Sequence, residues 1–436
     1  MPHAFDTVST VLLDIVQLLP DVSDVIAFVS GLPQLPPALQ ALLQLHQSMD
    51  LTRHWPCLHL ENIAPRNIDL GIAALPAFPN VSLGPATNLR WLAAPLPRST
   101  RSRLPLRSRS DTTLAFARIW GNHVRHISIT RNAVFSAPMH EILDLCRYIE
   151  SIELRLSSPA SAAVWVSAFT RLGLPLRSFS LDIPPHPNAP LTDCVALARA
   201  ILASSSLKIL MLCNAPDVEA ALGAIDGDML HVTTYSMPST VRGARHPAVL
   251  HKLDPAKVIC LSVAGHVDLS RFWPFNPSCV TLYRDVSDAN MARIVAWLNT
   301  SCVLKRFDAK STGTVGFEVI ARALPQWIAR GLETFAMGRY GDYFRPTLFS
   351  KHGLLLLASA LTTERDPRKT LKVTVNLRKR VLDFEEMHAL LAAVGASTNT
   401  CLTLDYVESY PSDALIEFAA LARVEATDRK VVIQSL

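Results

Sequence analysis

The chain has 436 residues, of which 49% are apolar and 18% are charged, a composition that excludes wholesale disorder. The net charge is +5, and five arginines between Arg98 and Arg109 alone supply five positive charges, so the rest of the chain is close to neutral. We therefore expect no nucleic-acid-binding surface spread over the protein. The eight cysteines include no C-x-x-C pair, which argues against a zinc knuckle or a disulfide framework and favours a reducing compartment.

The first 30 residues contain two helical patterns that Pro20 separates. Pro20 interrupts the first helix, and Ser23 can cap the second. The residues that carry the pattern are Leu12, Leu13, Ile15, Leu18, Leu19, Pro20, Asp21, Asp24, Val25 and Phe28.

This segment resembles the F-box, a helical module that docks on the Skp-type linker protein of cullin-RING ubiquitin ligases. Two hallmarks of that family are replaced, the opening Leu-Pro pair by Val8-Ser9 and the Cys-x-x-Trp region by residues 31–37. The resemblance implies a linker-docking surface that comprises Leu12, Leu13, Ile15, Leu18, Leu19, Pro20, Val25 and Phe28. The alternative is an amphipathic cap that closes the first end of a repeat array. Apolar residues facing outward favour docking, and apolar residues packed near Trp55 favour a cap.

From Trp55 onward a short β-rich phrase recurs, with apolar residues at its first, fourth and sixth places. It is clearest in 149–154, 176–181 and 207–212, and a helical pattern follows most copies, as over residues 288–298. Each copy predicts a strand that is buried on one face, so neighbouring units must stack to bury their apolar residues. We place copies at residues 55, 78, 124, 149, 176, 207, 229, 258, 277, 304, 332, 370, 399 and 429.

The repeated phrase resembles the leucine-rich repeat, in particular its ribonuclease-inhibitor type. The resemblance implies an α/β solenoid with parallel strands on a concave face and helices outside, preceded by a short all-α module. The predicted domains are an F-box-like or capping helical module over residues 1–54 and a divergent repeat array over residues 55–436.

Two steps between phrases are too long, and each predicts an insertion. The first, at about 95–111, is rich in arginine and serine and predicts a flexible loop. The second, at about 339–365, carries aromatic residues among arginines, a composition common at protein-binding hot spots. Its candidate binding residues are Arg339, Tyr340, Tyr343 and Arg345.

Side chains at the third, fifth and seventh places of each phrase point away from the core, so they predict the concave surface. In the middle of the array this surface is more apolar than at its flanks, a pattern typical of a protein-binding groove. The candidate binding residues there are Ile209, Met211, Tyr283, Arg306 and Asp308.

Catalytic motifs for nucleotide binding, serine hydrolysis and zinc proteolysis are missing, so we expect no enzyme activity, no cofactor and no metal site. Without a signal peptide or membrane-length apolar run, we expect a cytoplasmic or nuclear protein that contacts neither membranes nor nucleic acid. The leading hypothesis is a non-catalytic substrate receptor of an SCF-type ubiquitin ligase, with a Skp-type linker and a target protein as partners. The alternative is a leucine-rich scaffold or regulator that binds a protein partner without any ubiquitin connection.

Overall fold

A computed structural model describes most of the chain and divides it into two compact units, Met1–Leu207 and Lys208–Leu436. The described ranges are 2–84, 86–96, 99–106, 111–129, 137–156, 176–183, 191–237, 248–264, 275–338, 349–378, 380–397, 399–406 and 431–435, with single residues between some of them.

The first unit combines an all-helical N-terminus with parallel strands that pair in chain order. Its helices in the described ranges are α1 (Pro2–Leu18), α2 (Val22–Ser30), α3 (Pro37–Ser48), α4 (Ile68–Ala74), α5 (Asp111–Trp120), α6 (Ala137–Leu145) and α7 (Leu191–Leu202). Its strands are β1 (Cys57–His59), β2 (Asn80–Ser82), β3 (Arg101–Leu106), β4 (Val124–Ile129), β5 (Ser151–Arg155) and β6 (Ser178–Asp182).

The second unit continues the same strand-and-helix pattern. Its strands are β7 (Ile209–Cys213), β8 (Thr234–Met237), β9 (Cys260–Ala264), β10 (Cys279–Val286), β11 (Arg306–Thr312), β12 (Thr334–Met337), β13 (Leu371–Arg378), β14 (Thr400–Tyr406) and β15 (Val431–Ser435), all parallel and in chain order. Its helices are α8 (Pro216–Ala224), α9 (Asp288–Leu298), α10 (Thr314–Ala329), α11 (Lys351–Leu361) and α12 (Phe384–Ala396). Helices α9 to α12 pack side by side in that order. The architecture is therefore an α/β fold of the solenoid-like kind.

The repeated phrase forms these strands because its apolar places face one side. Ile152 and Leu154 of β5 are fully buried, whereas Ser151 and Glu153 between them face the other side. Helix α9 spans the predicted residues, and the Ser287 hydroxyl caps it by accepting a hydrogen bond from the Asn290 N–H at 3.3 Å. We call the side opposite the buried apolar residues the polar sheet face.

A series of backbone hydrogen bonds links successive repeats of the second unit at the point where each strand begins. The Thr233 N–H donates to the Lys208 carbonyl at 2.8 Å, and the Ile259 N–H donates to the Thr233 carbonyl at 2.7 Å. The same contact recurs from Ser278 to Ile259 and from Lys305 to Ser278. Each repeat thus satisfies polar backbone groups of the neighbouring repeat, as stacking in a repeat array requires.

Both predicted insertions contain regular structure. Residues 101–106 form β3, which pairs with β2 and β4, so the prediction of a flexible loop was wrong for these residues. Ser102, Leu104 and Leu106 are buried on one side, so β3 belongs to an additional repeat between the phrases at 78 and 124. Residues 351–361 form α11 between β12 and β13, in the position of a backing helix rather than of an inserted segment.

Two phrase positions were also wrong by a few residues. Strand β8 begins at Thr234, so the phrase placed at 229 actually begins at Val232, and the buried Val232, Tyr235 and Met237 carry it. Strand β15 pairs Val431 with the buried Leu402, which shifts the phrase placed at 429 by one residue. A shift of one residue exchanges the two faces of a strand.

Candidate protein-binding surfaces

Helix α1 carries a continuous row of exposed apolar side chains. Leu18 is 82% exposed, and Val8, Val11 and Ile15 are exposed with it. Their spacing of three and four residues places them on one side of the helix. We call these four residues the α1 stripe. Exposed apolar residues that cluster in this way mark interaction surfaces, whereas isolated ones do not.

The side of α1 away from the stripe is fixed to the rest of the first unit. Val16 is fully buried, and the Gln17 side-chain amide donates to the Pro76 carbonyl at 2.9 Å. Just after α1, the Trp55 indole N–H donates to the Leu19 carbonyl at 2.9 Å. One side of α1 is therefore fixed to the first unit, and the other side faces solvent.

The predicted linker-docking residues fall into three groups. Ile15, Leu18 and Pro20 are exposed, and the part-buried residues are Leu12, Leu13, Leu19 and Phe28. Val25 is fully buried in α2, so its inclusion in a docking surface was wrong. The helical pattern predicted that Val25 lies among apolar residues, but it could not show whether those residues form the core or an exposed surface.

The polar sheet face of the first unit carries a charged cluster centred on Glu153. Its two carboxylate oxygens bind Arg103 and Arg155, each at 2.6 Å, and the His126 Nε2 lies 3.8 Å away. The His126 ring and the two guanidinium groups hold the pKa of Glu153 well below its usual range, at about 2, although burial acts in the opposite direction. The Glu153 carboxylate is therefore ionised at neutral pH and organises the cations around it.

A groove of about 290 Å³ opens beside this cluster, across strands β1 to β5. Three guanidinium groups, those of Arg101, Arg103 and Arg125, line it together with the Glu150 carboxylate. Arg125 lies 3.7 Å from Glu150 and 4.9 Å from the centre of the Tyr148 ring. Arg103 is paired with Glu153 and Arg125 with Glu150, so a carboxylate-bearing partner would meet the exposed Arg101 guanidinium first.

Sequence reasoning missed this groove because it assigned Arg101 and Arg103 to a flexible loop. The available signal was the alternation Arg101-Ser102-Arg103-Leu104, in which every second residue is small or apolar. The arginines suggested a solvated loop, and Pro105 argued against a strand because proline is uncommon inside strands.

On the second unit, the predicted concave residues lie in three successive registers of the polar sheet face, with Tyr283 in the third. The outer row contains no buried residue and runs through Ile209, Thr234, Cys260, Cys279, Arg306, Thr334, Lys372 and Cys401. Met211 and Tyr283 are part-buried deeper in the sheet, so these predicted residues retain some accessible surface.

Asp308 lies in the next row and is only 2% exposed, so its assignment to an accessible binding surface was wrong. Its carboxylate accepts a hydrogen bond from the buried Lys310 ammonium at 3.2 Å, and that ammonium lies 5.6 Å from the centre of the Tyr283 ring. The strand periodicity gave the direction of the Asp308 side chain correctly. It could not show that the neighbouring positions Thr281, Ala336 and Thr374 would be buried as well.

Four predicted binding residues fall outside the part of the chain that the structure describes. Arg339, Tyr340, Tyr343 and Arg345 lie outside the described residues. Within the described ranges, no group of three or more His, Cys, Asp or Glu side chains is placed to hold a metal ion. Over the same ranges, no helix combines the length and the hydropathy needed to cross a membrane.

The sequence matches no protein-family model, and no curated protein is significantly similar to it.

Proposed function

We propose that the chain is a non-catalytic protein-binding subunit that uses its N-terminal helices to dock on one protein and its repeat array to hold another. In the more specific form of this proposal, the array is of the leucine-rich type and the docking partner is a Skp-type linker. The protein then serves as a substrate receptor of an SCF-type ubiquitin ligase, in the cytoplasm or nucleus.

The α1 stripe carries the proposal. A helix whose only task is to close the end of an array needs a polar outer surface. Here the outer surface presents Val8, Val11, Ile15 and Leu18 to solvent, while the inner surface already makes the contacts that a cap requires. Leaving these side chains in water forgoes about 1.5 to 3 kcal/mol of burial free energy for each large residue, which a docking partner would recover.

The arginine-lined groove is a candidate site for the second protein. It lies on the same unit as the stripe, and its three guanidinium groups suit an acidic segment of a target. Arg101 is exposed in β3 and can contact such a segment without breaking the Arg103–Glu153 ion pair.

A scaffold that grips one protein without any ubiquitin connection is the alternative. The groove favours it as much as it favours a receptor, because capture of a target is common to both. The two candidates differ in the partner of α1, so the experiment addresses that helix.

The test is a binding measurement between the full chain and a purified Skp-type linker, with Leu18→Asp as the variant. Leu18 projects into solvent, so a carboxylate there should leave the fold intact, whereas Leu19 is unsuitable because it lies at the Trp55 hydrogen bond. We expect wild type to bind and Leu18→Asp to bind about tenfold or more weakly, as for loss of an interface anchor. Ile119→Asp, an exposed apolar position in α5 outside the stripe, is the matched control and should bind like wild type.

Circular dichroism on all three chains shows whether they fold. A folded wild type that does not bind the linker refutes the ligase proposal and leaves the scaffold. Equal binding by wild type and Leu18→Asp refutes the stripe as the docking surface.

A further inference from the structure

Two cysteines occupy directly paired positions on neighbouring strands of the second unit. Cys260 begins β9 and Cys279 begins β10, and the parallel register places the two residues side by side. The residues that follow them, Leu261 and Val280, are fully buried on the other side of the sheet, whereas both cysteines are part-buried on the polar sheet face. Neither cysteine is joined in a disulfide.

The spacing of the two residues suits a covalent link. The Cys279 N–H donates to the Ile259 carbonyl at 3.0 Å, which holds β10 in place directly beside Cys260. Neighbouring strands lie about 4.7 to 4.9 Å apart, and disulfides join residues whose Cα atoms are about 4.4 to 6.8 Å apart. The Cα separation typical of directly paired strand residues therefore falls within the range that disulfides span.

The surroundings of the pair make the two thiols chemically unequal. A hydrogen bond from the Cys279 thiol, a second from Thr234 and the charge of Arg306 lower the pKa of Cys260 to about 6, although burial opposes them. The hydrogen bond to Cys260 and burial both raise the pKa of Cys279, and the Asp308 carboxylate adds to this while Arg306 opposes it. Cys260 is thus the more acidic thiol of the pair and Cys279 the less acidic one, the order that suits attack by Cys260 followed by resolution by Cys279.

We propose that Cys260 and Cys279 form a reversible oxidation site that reacts with hydroperoxides, with Cys260 as the attacking sulfur and Cys279 as the resolving sulfur. The Cys260 thiolate attacks one peroxide oxygen, the O–O bond breaks, and the departing hydroxide takes a proton to become water. Cys260 is then a sulfenic acid. The Cys279 sulfur attacks the Cys260 sulfur, and the hydroxyl leaves as water with the proton of the Cys279 thiol. In sum, two thiols and one hydrogen peroxide give one disulfide and two waters, and a dithiol reductant reverses the change.

The other cysteines provide internal comparisons. Cys401 lies in the same outer row on β14, but its paired neighbour on β13 is Lys372, so it has no thiol in register on that side. Cys302 is the most exposed cysteine and lies outside the strands. If exposure alone governed oxidation, Cys302 would react first.

The experiment treats the full reduced chain with hydrogen peroxide at one equivalent and maps the cysteines by peptide mass spectrometry over time. We expect a Cys260–Cys279 cross-linked peptide to form first and to disappear on addition of dithiothreitol, with Cys302 and Cys401 still reduced. In Cys279→Ser a sulfenic-acid probe should label Cys260, and in Cys260→Ser the cross-link should be lost while Cys279 remains a thiol. The rate in wild type should rise with pH through about 6.

A trivalent phenylarsenical, which binds two adjacent thiols, tests the geometry separately. We expect one equivalent to bind to wild type and to Cys401→Ser, and binding to be lost in either Cys260→Ser or Cys279→Ser. Oxidation of Cys302 or Cys401 before the pair, or a folded wild type that forms no cross-link, overturns the proposal. Arsenical binding without a cross-link also overturns it, because the thiols would then be adjacent but not an oxidation site.

Discussion

Glu219 of α8 is a carboxyl group buried in the core of the second unit, only 6% exposed, near the fully buried Tyr235 of β8. Burial raises the pKa of Glu219 to about 7, and the Tyr235 hydroxyl lowers it only in part. In the unfolded chain the pKa of the carboxyl is near its ordinary value of 4.5. The folded state therefore binds this proton more tightly than the unfolded state does.

The sign of the resulting pH dependence follows from proton linkage. Where the folded state holds more protons, stability falls as the pH rises. The contribution of Glu219 is fully favourable below pH 4.5, declines between 4.5 and about 7, and is flat above that range. The difference between the two pKa values corresponds to a loss of about 3 kcal/mol once the carboxyl is ionised in both states.

Glu219→Gln removes this charge while it keeps the size and polarity of the side chain. We expect the variant to be more stable than wild type at pH 8, by up to about 3 kcal/mol, and to lose the decline between pH 4.5 and 7. Hydrogen exchange of residues 216–224 and the thermal midpoint, both followed from pH 5 to 8.5, measure the effect. Asp217→Asn, at an exposed position of the same helix, is the control and should retain the wild-type decline. An unchanged pH profile in Glu219→Gln would show that the buried carboxyl is not the cause.

Three further changes test other contacts. Wild type should lose stability as the pH falls from 4.5 towards 2 because the Glu153 carboxylate becomes protonated, and Glu153→Gln should not show this loss. Acid denaturation followed by circular dichroism measures the difference. Gly71→Ala places a Cβ 2.4 Å from the rigid Trp91 ring and should cost about 1 to 3 kcal/mol in urea unfolding, whereas Gly31→Ala meets no atom closer than 3.6 Å and should cost far less. Trp55→Phe removes the hydrogen bond to Leu19 and should cost about 1 kcal/mol, so faster protease cleavage between α1 and α2 than in wild type is the expected result. Equal cleavage of the two chains would show that Trp55 does not hold this junction.

The sequence pattern predicted local structure best where several signals agree. Residues 288–298 form the predicted helix because Ser287 caps it, Asp288 places a negative charge in its first turn, and apolar residues recur at helical spacing. Strand β3 was missed because only Leu104 and Leu106 carry its apolar phrase, while Ser102 fills the first buried place. A buried serine is invisible to a search for apolar periodicity.

The surfaces were harder to predict than the strands. Periodicity gives the direction of a side chain but not what lies against it, so it placed Asp308 on the correct sheet face and wrongly made that position accessible. The same limit applied to the N-terminus, where apolar spacing identified both α1 and α2 as amphipathic. It could not distinguish the solvent-facing Leu18 from the enclosed Val25, since both are apolar residues on helices.

The bond between the Trp55 indole and the Leu19 carbonyl makes the join between α1 and the first strand a fixed corner rather than a flexible tether. A protein bound to α1, as proposed above, would then stand at a restricted distance and orientation from the arginine-lined groove. Two binding events on a flexible tether reinforce each other over a wide range of geometries, whereas a fixed corner gives a high effective concentration only to a pair of partners whose dimensions match it. The corner would thus select among partners by their size and shape, independently of how strongly either surface binds.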